Sequence, residues 1–155
     1  MTTTTDVRRE VTVAGSPQRA FDLFTNRMAE WWPAGHHLAT SAVVAMTVEP
    51  RVDGRLYDTC EDGSESVWGR VTEWNPPTGF TFAWMITGTW ALETDVEKAS
   101  RVTVSFTAQG DSTRVTVVHK DFWRLGDGGQ GMADAVGAAD GWGSALERFA
   151  DFAAE

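Results

Sequence analysis

Residues 140–154, DGWGSALERFADFAA, decide the fold. Trp142, Leu146, Phe149 and Ala153 recur at the steps of one helical face, and Ala145 and Phe152 widen that stripe. Glu147, Arg148 and Asp151 fall on the opposite, wet side. Asp140 stands where an N-cap belongs, and Gly141 eases the entry. A short, strongly amphipathic helix that follows a run of strand patterns needs a sheet to lie against. The stretch therefore predicts strands that wrap this helix, with any pocket lying between helix and sheet.

The preceding chain supplies those strands. Val7–Ala14 alternates weakly and reads as a first strand. Ser16 and Pro17 then signal a helix start, cap followed by first helical position. Ala20, Phe21, Phe24 and Met28 give one helical face, which runs on to Trp31-Trp32 and stops at Pro33. Asn26 offers a break, so two short helices are expected, followed by a loop over residues 33–40. Residues 42–49, 54–60, 64–74 and 80–90 read as four strands separated by turn signals. Residues 101–108 and 113–120 are two more, joined by the hairpin turn Gln109-Gly110-Asp111-Ser112. These connections are too short for crossover helices, so the sheet is expected to be antiparallel. The fold class is α+β, a helix-grip arrangement in the order β-α-α-β6-α, with a curved antiparallel sheet wrapped around a long C-terminal helix. Residues 1–6 are expected to be a disordered tail and residues 7–154 a single domain.

Composition narrows the function classes. An apolar share of 42% and a charged share of 23% fit a soluble globular protein. Eight Trp and eight Phe against one Tyr are far more aromatic than such a protein needs, and large flat side chains line cavities as well as fill cores. A net charge of −9 argues against nucleic acid and against an anionic membrane, since both demand a cationic face. Cys60 is the sole cysteine, which rules out an intrachain disulfide and favours a reducing compartment. The first ten residues, MTTTTDVRRE, hold no apolar signal region, so a cytoplasmic location is expected.

Several motifs invite a sharper reading. Gly126-Asp127-Gly128-Gly129-Gln130-Gly131 fits the dinucleotide pattern G-x-G-x-x-G, but that fingerprint needs a second parallel strand, and only one helix pattern follows. The segment reads as a flexible loop or a gate, and no cofactor is expected. His36, His37, His119 and Cys60 lack the spacing of a metal site. The first two belong at the surface or a pocket rim, and Cys60 belongs in the core. His119 shares a strand face with Val115 and Val117, as a satisfied core histidine or as a pocket group that orients a ligand or moves a proton. Arg70 is either a structural ion-pair partner of Glu73 or Asp58, or a cation alone in an apolar groove.

Phe80, Phe82, Trp84 and Ile86 share one strand face by alternation. A curled sheet that cannot close over one helix favours an apolar cavity. The residues expected to line it are Trp31, Trp32, His36, Met46, Tyr57 and Trp68, with Arg70, Trp84, Trp90, His119, Trp123 and Trp142. No catalytic set and no metal site are assigned.

The blocks Gly54-Arg55-Leu56-Tyr57, Glu61-Asp62-Gly63, Trp68-Gly69-Arg70-Val71, Asn75-Pro76-Pro77 and Phe80-Thr81-Phe82-Ala83-Trp84 carry a resemblance. Together with Trp31-Trp32 and Gly141-Trp142, they resemble the SRPBCC (START-like) superfamily, in the branch named for the activator of the heat-shock-protein-90 ATPase. The resemblance runs from about Val7 to Phe152, although residues 123–139 look longer and looser than the family's usual approach to its last helix. It implies the helix-grip fold and a binding scaffold whose members include lipid carriers and polyketide cyclases. Three functions compete, and the first, which the aromatic-rich groove favours, is a carrier or sensor of a small hydrophobic or aromatic molecule. The second is a cyclase- or hydrolase-type enzyme using the same cavity, with His119, Arg70 or His36 as acid or base. The third is a chaperone-interaction module with a role in stress response. The open edges of such a sheet could also be covered in a homodimer.

Overall fold

The computed structural model describes residues 5–33 and 35–155. Of the expected tail, residues 1–4 lie outside the described residues, and Thr5 and Asp6 are exposed. The first strand, β1, is Val7–Ala14, and helix α1 follows as Pro17–Asn26. Ser16 caps α1 by accepting a hydrogen bond from the Arg19 N–H at 3.2 Å. The second expected helix is only a 3₁₀ turn, Met28–Glu30, beyond a break at Arg27.

Strands β2 (Val43–Val48), β3 (Arg55–Cys60), β4 (Glu65–Asn75), β5 (Gly79–Trp84), β6 (Ser100–Gln109) and β7 (Ser112–Lys120) complete one antiparallel sheet. Its order is β1-β7-β6-β5-β4-β3-β2, so the strands meander and β1 closes against β7. Gly110 turns the β6–β7 hairpin with φ 64°, a conformation that glycine adopts without steric cost. The register slips in β2–β3, in β3–β4 between Leu56 and Tyr57, and in β4–β5 between Val71 and Glu73. Bulges of this kind bend strands and increase twist, and these three lie in the β2–β5 half of the sheet.

The strand expected over 80–90 ends at Trp84, six residues early. Beyond it the chain leaves the sheet in a loop closed by the single bridge between Ile86 and Leu92, with Trp90 at φ 63°. A bulky side chain rarely occupies that left-handed region, so Trp90 is held there by its surroundings. Thr81, Ala83 and Met85, on the other strand face, are buried too: Val96 and Ala99 pack with Ala83 and Met85, and the Thr81 hydroxyl bonds that of Thr103.

The glycine-rich segment is not a loop. Residues 122–128 form a 3₁₀ stretch kinked at Gly126, and Gly129–Gly137 is an α-helix, α2. The closing helix, α3, is Trp142–Ala153, and it buries the predicted face: Trp142, Ala145, Leu146, Phe149 and Ala153. Its N-cap is Gly141, and Asp140 makes no capping bond. Gly141 is required by space, because a Cβ there would overlap the carbonyl oxygen of Val136 across the α2–α3 join. Gly141→Ala should therefore cost roughly 1–3 kcal/mol, the range for forced overpacking. Chemical denaturation would measure it, and wild-type stability would show that the join relaxes freely.

Arginines tie the helices to the sheet. Arg19 donates to the Ala153 carbonyl at the end of α3 and to the Ala14 carbonyl of β1, at 2.7 and 3.1 Å. Arg9 donates to the Gly137 carbonyl at the end of α2 at 2.8 Å. Both place positive charge at a helix C-terminus, where unpaired carbonyls accumulate. No helix among the described residues is long and apolar enough to cross a membrane.

The interior has two halves. Phe21, Phe24, Trp31, Phe80, Phe106 and Phe149 pack ring to ring at 4.6–6.0 Å beneath α1. Toward the N-terminal end of α3 the packing gives way to a cavity.

Candidate ligand cavity

A cavity of about 310 Å³ opens between the sheet, residues 35–38, the α2–α3 join and the first turn of α3. The sheet contributes Asp58, Trp68 and Trp84; Ile86 and Trp90 come from the loop after β5. The helical side contributes Val136, Trp142 and Ala145. Four indoles touch in a closed circuit. The ring centroids of Trp32 and Trp68 are 5.2 Å apart, Trp68 and Trp84 5.8 Å, Trp84 and Trp142 5.7 Å, and Trp142 and Trp32 5.8 Å. Trp90, almost half exposed, stands at the mouth.

Local structure explains these positions. The pairing of Leu56 with Gly69 and of Tyr57 with Val67 leaves Trp68 as the extra residue of a bulge. Simple alternation would turn Trp68 and Arg70 to the same side. The bulge resets the phase, so Val71 takes the next buried position and Arg70 turns outward. The indole N–H of Trp32 donates to the His36 carbonyl at 2.9 Å, which holds the loop of residues 35–38 at the cavity.

The same loop carries His37, which meets the sheet at Asp58. That carboxylate is 2% exposed, and each of its oxygens accepts one N–H. Oδ1 takes the indole N–H of Trp68 at 3.0 Å, and Oδ2 takes Nδ1–H of His37 at 2.8 Å. Among the described residues, no three or more His, Cys, Asp or Glu side chains gather in a way that could hold a metal.

His119 is fully buried behind the cavity wall. The Trp142 indole can only donate, so its 3.1 Å bond to Nδ1 leaves Nε2 protonated and donating to Ser100 Oγ at 2.7 Å. Burial among Trp84, Phe122 and Trp142 pushes its pKa down to about 3, and the ring is neutral. It is the satisfied core histidine of the two readings, and it braces Trp142.

Of the twelve residues expected to line a pocket, Trp32, His36, Trp68, Trp84, Trp90 and Trp142 border this cavity. The other six do not. Trp31 and Met46 belong to the packed core. Tyr57 lies out of phase with buried Leu56 and Asp58, and its ring stacks under the Arg55 guanidinium. Arg70 donates to the Asp53 carbonyl at 3.0 Å, a structural role, though neither Glu73 nor Asp58 is the partner. His119 lies behind the wall, and Trp123 is 67% exposed beneath Arg124. His37, expected at the surface or a pocket rim, borders the cavity, and so does Asp58, which the expected lining omits although it shares the buried phase of Leu56 and Cys60, where a lone carboxylate is conspicuous.

The family described as "Activator of Hsp90 ATPase homolog 1-like protein" matches residues 14–154. Among solved structures, the chain is similar to the anthrahydroquino-γ-pyrone synthase Txn09 complexed with SUM, at 38% identity and a TM-score of 0.67. That match covers 96% of this chain and 97% of the other. It is also similar to the self-sacrificing resistance protein CalC from Micromonospora echinospora, at 28% identity and a TM-score of 0.67, over 96% and 93% of the two chains. The Aha1 dimer from Colwellia psychrerythraea, at 12% identity, shares the fold with a TM-score of 0.61 over 95% and 94%. No curated protein matches the chain. A curled seven-stranded antiparallel sheet gripping a closing helix, and a family match over nearly its whole length, identify the chain as a member of the AHSA1-like family within the SRPBCC superfamily.

Proposed function

We propose that this protein binds a planar aromatic small molecule in the cavity beside α3. The closed circuit of four indoles carries this reading, because flat polarizable walls favour a flat ligand. A volume of about 310 Å³ sits at the small end of the usual range for ligand sites and suits a polycyclic ring system better than a lipid. Binding of this kind serves a carrier or sensor.

A second reading, ring-closing catalysis in the same cavity, is favoured by the 38% identity to a synthase whose name specifies a polycyclic aromatic product. Chaperone docking has less support. Of the exposed large apolar side chains among the described residues, Trp90 and Leu92 share the loop at the cavity mouth, while Val44, Val52 and Trp123 come from separate segments, and single apolar residues at a surface need no partner.

Titration with 2-methoxyanthraquinone, followed by tryptophan fluorescence and thermal unfolding, tests the binding reading. Saturable quenching is expected. Ligand at 100 times its Kd should raise Tm by roughly 5–10 °C, since only the native state binds it. Absence of both effects across a panel of planar aromatics would overturn the proposal.

A further inference from the structure

The His37–Asp58 pair is more organised than an apolar binding site requires. A carboxylate with its oxygens buried is costly unless both are paired, and here both are. The carboxylate can only accept, so the proton lies on Nδ1 of His37 and the lone pair lies on Nε2. Among the described residues Nε2 has no hydrogen-bond partner, and His37 borders the cavity with its side chain 17% exposed. A carboxylate that fixes the tautomer of an imidazole lining a cavity, and leaves its other nitrogen unpaired, is the arrangement of a general base. The Trp68 indole holds Asp58 from the other side, so the wall that would stack a ligand also locks the pair.

We infer that His37 is a general base acting on a phenolic hydroxyl of a polycyclic aromatic substrate, with Asp58 as its positioning residue. The inference rests on the aromatic-ligand reading above. In the step, Nε2 takes the phenol proton: the O–H bond breaks and an N–H bond forms. The phenolate oxygen then adds to the carbon β to a conjugated carbonyl in the same molecule, closing an oxygen-containing ring. The imidazolium returns the proton to the α-carbon. Nothing is oxidised or reduced, no water enters or leaves, and the product is an isomer of the substrate. The tryptophan walls exclude water and hold the ring planar while the charge passes through it.

The test uses 2-hydroxyanthraquinone, whose visible absorption shifts to the red when its phenol ionises. At a pH one unit below the free probe's own pKa, wild-type protein is expected to bind it at least half ionised, an ionisation equilibrium displaced at least tenfold. H37Q should still bind it saturably yet show the neutral spectrum. D58N offers one acceptor where two donors converge, and it should lose the red shift as well. Equal ionisation on wild type and H37Q would overturn the assignment to His37, as would binding to wild type with a neutral spectrum. Either result leaves the aromatic pocket standing. A D58N protein that ionises the probe like wild type would remove Asp58 from its positioning role. No saturable binding of this probe or its methoxy analogue would overturn both readings together.

Discussion

Trp142→Ala is expected to destabilise the protein by roughly 3–5 kcal/mol, the usual cost of truncating a large buried aromatic. The indole is 3% exposed at the first turn of α3 and packs against Trp32 and Trp84. Its N–H is the donor that satisfies Nδ1 of His119, so truncation also strands a buried acceptor. One face of the ring borders the cavity, which lets the void merge with space already present and keeps the loss within that range. Trp142→Phe separates the two contributions: it keeps most of the apolar packing and loses only the bond, and should cost about 1–2 kcal/mol. Urea unfolding measures both. A loss under about 1 kcal/mol for the alanine variant would mean that this ring does not anchor α3.

That anchor was legible in the sequence because helical periodicity depends only on local spacing. The buried face of α3 and the inward phases of β5, β6 and β7 follow from it and from strand alternation. Three features escaped that logic. The bulge at Trp68 inverts the phase of its strand, and nothing in Trp68-Gly69-Arg70 announces it, so Arg70 was expected near the groove. Helix α2 is built largely from glycine and alanine; glycine-rich composition reads as loop, but the packing of Met132, Ala133 and Val136 outweighs it. Trp31 and Trp32 are neighbours in one tight turn, yet one enters the packed half of the interior and the other the cavity. Side-chain direction just beyond a 3₁₀ turn is set by what it packs against, which a linear pattern does not contain.

The candidate site was legible only in its aromatic part. Tryptophan number alone pointed to a cavity. The pair that gives it chemistry joins a loop residue, His37, to a strand residue, Asp58, twenty-one positions away. Asp58 sits among buried positions by alternation, and a carboxylate there needs partners. The partners come from a bulge and a loop closure, and both are tertiary events.

His119 gives the second large effect, and its direction is fixed by burial. Its folded pKa of about 3 lies below the ordinary histidine value of 6.5, so the unfolded chain takes up a proton more readily than the folded protein. The stabilisation is therefore present in full above pH 6.5 and is lost as the pH falls from 6.5 toward 3. Within that window the slope approaches roughly 1.4 kcal/mol per pH unit, so moving from pH 7 to pH 4.5 should remove roughly 2–3 kcal/mol. The groups around the ring, Ser100, Trp84, Phe122 and Trp142, carry no charge that would stabilise an imidazolium. Carboxylates held below their usual range, such as Glu49 beside Arg55, act in the same direction but at lower pH. His119→Gln isolates the contribution, because glutamine can accept from Trp142 and donate to Ser100 without titrating. The variant should be less stable than wild type at pH 7, and the gap should narrow by roughly 2–3 kcal/mol by pH 4.5, when urea unfolding is repeated across the range. A gap that stays constant would mean that His119 is protonated as easily in the folded protein as in the unfolded chain, and that the wall behind the cavity admits a charge.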